Sequence, residues 1–169
     1  MKPEATPSSG LAIRRAGGAD LVDVTALWTA LLRYHAELDP ALRLRPGTET
    51  EIRKLVRGSF ADRDVAVFLG FAAPPQSPAC ASGLCVVQLD RAPALMEEPR
   101  RGKISELYVR EEARRRGLGT ALAQAALAHA REQDVRRLEV RVSTRNLEGQ
   151  SFWRALGFRD FMDVLDLRL

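Results

Sequence analysis

The chain has 169 residues, of which 46% are hydrophobic and 28% charged, and carries a formal net charge of +4. That balance suits one soluble domain burying a single core, and the two cysteines, Cys80 and Cys85, are too few for a disulfide framework and match no zinc-ligand spacing. No apolar run approaches the ~20 residues that cross a bilayer, and residues 1–10 lack the apolar stretch of a signal peptide, so a cytoplasmic protein with no metal and no membrane partner is expected.

In chain order, residues 1–10 read as a disordered polar tail and 11–169 as a single folded domain. Leu11–Arg15 reads as a short strand. Asp20 caps a first helix, whose apolar positions Leu21, Val24, Leu27, Trp28, Leu31 and Leu32 recur at helical spacing until Asp39-Pro40. Thr48 with Glu51 forms a capping-box pattern that opens a second helix running to about Phe60. Asp64–Ala73 and Gly83–Asp90 are β-rich and flank the turn Pro74–Pro78, an antiparallel hairpin. After a loop over 91–102, Ile104–Val109 makes a fourth strand, Leu118–Glu132 an alanine-rich helix, and Val135–Ser143 a fifth strand parallel to the fourth. Glu148–Leu156 reads as a short helix ended by Gly157, and Phe161–Leu169 alternates enough for a last strand.

The informative stretch is Val109–Thr120, between a strand and a helix start. Gly117 and Gly119 remove side chains where backbone must approach a ligand, the helix N-terminus favours an anion, and Arg114, Arg115 and Arg116 add positive charge. A dinucleotide fingerprint fails because Leu122 stands in place of its third glycine, and the phosphate loop of nucleotide hydrolases lacks its Lys-Ser/Thr end. A tight turn with a solvated basic face remains the plain alternative.

Arg114-x-x-Gly117-x-Gly119 resembles motif A of the GNAT acyltransferases, Arg/Gln-x-x-Gly-x-Gly/Ala. Asn146, Trp153, Leu156, Gly157 and Phe158 resemble the second signature of that superfamily, with tryptophan in place of its tyrosine. The order of elements over residues 11–169 is similar too. The resemblance implies an α/β (α+β) fold with a mixed, mostly antiparallel sheet of six to seven strands, a splay between the fourth and fifth, and about four helices. It implies acetyl-CoA as donor, an amine as acceptor and, as in many members, a homodimer. Leu107, Tyr108 and Val109 would line the pantetheine arm, a backbone N–H near Val109 polarising the thioester carbonyl. Arg115, Arg116, Gly117, Leu118, Gly119 and Thr120 would hold the pyrophosphate, with Arg114 a further cofactor-binding residue. Asn146 would contact pantetheine, and Trp153 would stand beside the sulfur.

Direct transfer needs a neutral amine, so a base is useful, and Glu106 and Glu139 match positions from which members of the superfamily draw one. Glu106 is preferred, because arginines 136, 137 and 141 surround Glu139; a solvent-facing strand residue is the alternative for both. Trp153 has a donor N–H that does not ionise usefully, so a packing or cleft-wall role is expected of it rather than proton transfer. Tyr34 and His35, at the end of the first helix, are candidate substrate contacts, and His129 reads as structural. Arg100 and Arg101 either continue a basic surface toward the ribose phosphate or belong to a solvated loop.

The expected function is acetylation of a primary amine, either a small molecule or a peptide. The short stretch after Gly157 leaves little room for a hairpin over the cleft, which favours an acceptor site open on that side. A non-catalytic acyl-CoA sensor is the second reading. A nucleic-acid-binding domain is disfavoured because clustered basic and aromatic residues are missing.

Overall fold

The structure, a computed structural model, describes residues 10–72 and 80–167. In chain order it contains β1 (Ala12–Arg15), α1 (Leu21–Leu38), α2 (Thr48–Ala61), β2 (Val65–Phe71), β3 (Gly83–Arg91), β4 (Arg100–Val109), α3 (Leu118–Glu132), β5 (Leu138–Val140) and α4 (Leu147–Ala155). The strands lie in the order β1-β2-β3-β4-β5, with antiparallel pairs up to β4 and a parallel β4–β5 pair across the α3 crossover.

β2 and β3 are almost continuously apolar because both faces of the sheet are covered. On one face α1 and α2 set Val24, Leu27, Trp28, Ile52 and Val56 against Val67, Leu69, Leu84 and Val86. On the other, α3 sets Leu118, Leu122, Ala123, Ala126 and Ala130 against Ala66, Cys85, Val87 and Ile104, and Trp153 of α4 joins them. The small face of α3 lets the helix lie close, and the sheet answers with glycines. A Cβ on Gly70 would stand 2.8 Å from a Leu118 methyl, and one on Gly83 2.9 Å from a Leu122 methyl.

Several local expectations change. Asp20 precedes α1, but its carboxylate accepts from Arg14 (2.7 and 2.8 Å) and from the Gly17 N–H (2.9 Å) instead of capping the helix. The Thr48–Glu51 capping box is not formed: Gly47, at φ +79°, is the cap residue, Thr48 Oγ1 donates to the Arg45 carbonyl, and Glu51 pairs with Lys54 at 2.8 Å. A left-handed glycine turns the chain into α2 without needing the threonine. β4 begins at Arg100, earlier than Ile104, and β5 is confined to Leu138–Val140.

The last strand expected from Phe161 is absent among residues 161–167, and 168–169 lie outside the described residues. Among the described residues, five strands therefore stand where six to seven were expected. Alternation gives a segment strand character, but a strand exists only where a neighbouring edge accepts its hydrogen bonds. The expected tail up to Ser9 and the whole of the 74–78 turn likewise lie outside the described residues.

Candidate active site

The site is generated by one irregularity in β4. Val86 pairs with Glu106 and Val87 with Ile104, so Ser105 is an extra residue on its strand, a β-bulge. Because the side-chain period of a strand is two, the extra residue puts Ile104 and Glu106 on opposite faces. Ile104 joins the α3 side, while Val86, the partner of Glu106, and Tyr108 lie on the α1/α2 side.

The parallel pairing with β5 also stops at the bulge, at Ile104–Val140, although β4 runs on to Val109. Arg110 N donates to the Ser82 carbonyl (2.8 Å), so the backbone groups of Tyr108 face β3 and those of Leu107 and Val109 face the opening on the β5 side. A cleft of about 320 Å³ fills that opening. Its walls come from Ile104–Val109 except Glu106, from 140–143, from Leu31, Tyr34 and His35 of α1, and from Phe152 and Trp153 of α4.

The start of α3 closes one end of the cleft. Gly117 is its cap residue at φ +82°, Arg115 adopts φ +59°, and no side chain caps the first N–H groups. A helix of this length with an uncapped N-terminus is a ready anion site. Gly117 is required by its φ. Gly119 is not required by packing, since a Cβ there would stand 3.4 Å from the Phe152 ring, an ordinary contact. What that glycine leaves open is space in the cleft wall, as a close-lying ligand backbone or phosphate would need.

The remaining predicted residues fall at varied distances from this centre. Arg115 and Thr120 line the cleft with Gly117 and Gly119; Arg116 is exposed outside it, and Leu118 is buried in the core, leaving only its backbone N–H for a ligand. Arg114 lines the cleft but is already engaged: its Nε donates to the Val109 carbonyl at 3.0 Å, and its guanidinium lies over the rings of Tyr34 (5.2 Å) and Tyr108 (5.9 Å). It ties α1 to the end of β4. Asn146 lines the cleft, and its Oδ1 accepts from the Gly149 N–H (2.8 Å) as the cap of α4. Trp153 is 7% exposed and packs edge-on between Phe152 (5.0 Å) and Phe158 (5.1 Å), so its bulk belongs to the core and its edge to the cleft wall.

The two candidate bases differ sharply. Glu106 lies beside the cleft on the face it shares with Tyr108, about 6.6 Å further along the strand at 3.3 Å per residue. It has no ion pair among the described residues, and burial pushes its carboxyl up to about 7, Lys103 opposing this weakly. Glu139 lies on the paired part of β5, half-exposed, with Arg137 Nε at 3.8 Å. His35 reaches the cleft, and burial holds its imidazole pKa below the ordinary value.

Arg100 and Arg101 lie at the opposite end of β4 and pair with Asp64 (3.1 Å) and Asp90 (3.5 Å). His129 packs on Phe68, its buried Nε2 lacking a partner among the described residues. Ser105 and Ser143, which no motif marks, also stand in the cleft wall, as does Arg141, and among the described residues the buried Ser105 hydroxyl has no hydrogen-bond partner. Nothing in a strand pattern marks a bulge, since the extra residue is visible only against the register of β3.

The bulge, the end of the β4–β5 pairing beyond it and the uncapped start of α3 together define a mixed α/β sheet protein with an open cleft between two parallel strands. Residues 57–158 match the family described as acetyltransferase (GNAT), and the chain belongs to that family. The tetramutant of the BH1408 protein from Bacillus halodurans superposes with a TM-score of 0.79 at 22% identity, covering 94% of this chain and 99% of that one. An aminoglycoside 6'-N-acetyltransferase, AAC(6')-Ig from Acinetobacter haemolyticus, gives 0.71 at 19% identity over 94% and 97%. AAC(6')-Iy in complex with a CoA-linked bisubstrate analogue gives 0.70 at 18% identity over 95% and 99%. At such identities these structures share the fold. No curated protein sequence matches the chain. Among the described residues no helix is long and apolar enough to cross a membrane, and no group of acidic, His or Cys side chains is gathered to hold a metal.

Proposed function

We propose that the protein is an acetyl-CoA-dependent N-acetyltransferase acting on a primary amine by direct transfer, with Glu106 as the base. The observation that carries this reading is the unpaired end of β4, where the N–H groups of Leu107 and Val109 face a cleft that ends at the uncapped start of α3. An amide-bearing pantetheine chain suits the first feature and a pyrophosphate the second. Arg115, Thr120 and the α3 N–H groups hold the phosphates, the Asn146 amide and the backbone of β4 hold the arm, and Trp153 closes the wall. Arg114 positions this machinery by fixing the end of β4 against Tyr34. Tyr34 and His35 border the acceptor.

The ammonium form of an alkyl amine has a pKa near about 10.4, and a carboxylate titrating near 7 removes its proton more readily than one with the ordinary pKa. The free amine then attacks the thioester carbonyl, whose developing oxyanion the Val109 N–H meets. One such donor contributes roughly 2.7–4 kcal/mol. The C–N bond forms, the nitrogen gives its second proton to water, the C–S bond breaks, and the thiolate leaves with the electron pair and takes a proton from water. Glu139, held near Arg137 on the paired strand, is assigned no step.

Titration of acetyl-CoA into wild type and Gly119→Val tests the cofactor half. Binding by wild type that is lost in a folded variant supports the cleft, and no binding by wild type overturns it. Turnover on a panel of small amines and peptides then separates an enzyme from a non-catalytic acyl-CoA sensor, which binds and does not turn over.

A further inference from the structure

The α1 side of the cleft holds more positive than negative charge. Val140 and Val142 both pack toward the α3 side of the sheet, so Arg141 between them stands on the opposite face, the one that Glu106 and Tyr108 share and that α1 covers. Ile104 and Val140 are the last residues paired between β4 and β5. Ser105 and Arg141, which follow them, therefore stand side by side where the cleft opens, and both line it. Arg141 is exposed and has no ion pair among the described residues, and the Ser105 hydroxyl beside it is buried without a partner among them.

The carboxylates near this corner are engaged elsewhere. Glu139, two residues back on the same face, has Arg137 Nε at 3.8 Å, and Asp39, at the end of α1, has Arg145 Nε at 3.7 Å. Glu148 lines the cleft from α4, which packs on the α3 side. Glu106, the proposed base, is left facing two guanidinium groups, those of Arg141 and of Arg114, which lies over Tyr34 and Tyr108. His35 adds no charge at neutral pH, because burial holds its imidazole below the ordinary value. Arg141 is also remote from the start of α3: it stands level with Ser105, about 13 Å along β4 from Val109 at 3.3 Å per residue.

Resting on the reading above, we propose that the acceptor is a small primary amine that also carries an anionic group, a carboxylate or a phosphate, which Arg141 receives while the amine faces Glu106. A guanidinium meets either anion with two parallel hydrogen bonds, and the Ser105 hydroxyl supplies a further donor. The same charges select against a polycationic amine, which meets Arg114 and Arg141 together.

Steady-state assays on matched acceptors test this: common amino acids against their amides, and phosphoethanolamine against ethanolamine, with spermidine as a polycation. Wild type is expected to prefer the acid of a pair by at least about tenfold in kcat/KM. Arg141→Ala is expected to raise KM for the acid by about ten- to hundredfold with acetyl-CoA affinity kept, and Arg141→Glu to turn the preference toward spermidine. Arg141 is exposed, so both variants are expected to melt near wild type. A wild type that prefers the amide or spermidine overturns the proposal, and so does an acid preference that survives Arg141→Ala. Calorimetric titration of the acids into the protein in the presence of CoA separates this proposal from the reading it rests on. Arg141-dependent binding of an acid without any turnover supports the anion site and counts against the enzyme. Turnover of neutral amines with no Arg141-dependent binding of any acid upholds the enzyme and overturns the anion site, and neither binding nor turnover overturns both.

Discussion

At the scale of single residues, Glu106, the proposed base, also bears on stability. Its folded carboxyl holds a proton to about pH 7, against an ordinary value of 4.5. Between these pH values the folded chain binds more protons than the unfolded one, so stability falls as pH rises through the window and stays reduced above it. At about 1.4 kcal/mol per pH unit, the loss is of the order of 3 kcal/mol. We predict that Glu106→Gln raises the unfolding free energy at pH 8 by up to roughly that amount and has little effect at pH 4. The same change lowers kcat by about 10²-fold or more and removes the rise in activity centred near pH 7, while acetyl-CoA affinity is kept. A pH–rate profile beside denaturant titrations at the two pH values checks both halves.

Asp20 shows the opposite sign. Arg14 and the Gly17 N–H hold its carboxyl down to about 2, so its contribution is present above the ordinary value of 3.8 and disappears as pH falls through about 2. Asp20→Asn should cost on the order of 1–2 kcal/mol at neutral pH, because the bidentate contact with Arg14 ties β1 to the start of α1. Thermal unfolding of the variant, with the difference vanishing in strong acid, tests the assignment.

At the scale of elements, the turn into α3 separates two reasons for a glycine. Gly117 has φ +82°, so Gly117→Ala is expected to cost about 1–2 kcal/mol of stability through backbone strain and to weaken acetyl-CoA binding as well. At Gly119 a new Cβ meets only ordinary contact with Phe152. Gly119→Ala should therefore leave the unfolding midpoint nearly unchanged while lowering acetyl-CoA affinity by about tenfold, or about 1.4 kcal/mol. Calorimetric titration and a melting curve on both variants distinguish strain from lost ligand space; equal affinity in Gly119→Ala counts against a phosphate lying on that turn.

Across the whole molecule, the sheet divides the core into two clusters that share no side chains. Leu27 serves the α1/α2 side and Leu122 the α3 side, each fully buried. Truncation of either to alanine is expected to cost about 2–5 kcal/mol, and the double variant to cost the sum to within about 0.5 kcal/mol, since the two leucines have no common partner. A double-mutant cycle in urea checks this. Coupling well beyond that margin would mean that the sheet transmits packing changes between its faces.

The helices, the order of strands and the turn before α3 were legible in the sequence because they depend on short-range regularities: apolar spacing in α1, small residues along α3, and glycines at fixed offsets from Arg114. Trp153 could be read as wall and core from its residue type alone, since an indole N–H donates but does not ionise usefully, and it packs between Phe152 and Phe158. Other features depend on what lies across a strand and had no local signal. The bulge at Ser105 exists only relative to β3, and it is the bulge that delivers Glu106 to the α1/α2 face and opens β4 from β5. Arg114 reads as one of three equivalent cations until Tyr34 and the Val109 carbonyl are brought to it from distant elements. Alternation over Phe161–Leu167 marks a segment able to be a strand, but whether it is one depends on an edge elsewhere. The sequence determined which segments can be helix, strand or glycine turn; the tertiary structure decided register and partners, because backbone hydrogen bonds between strands join residues that sequence distance does not relate.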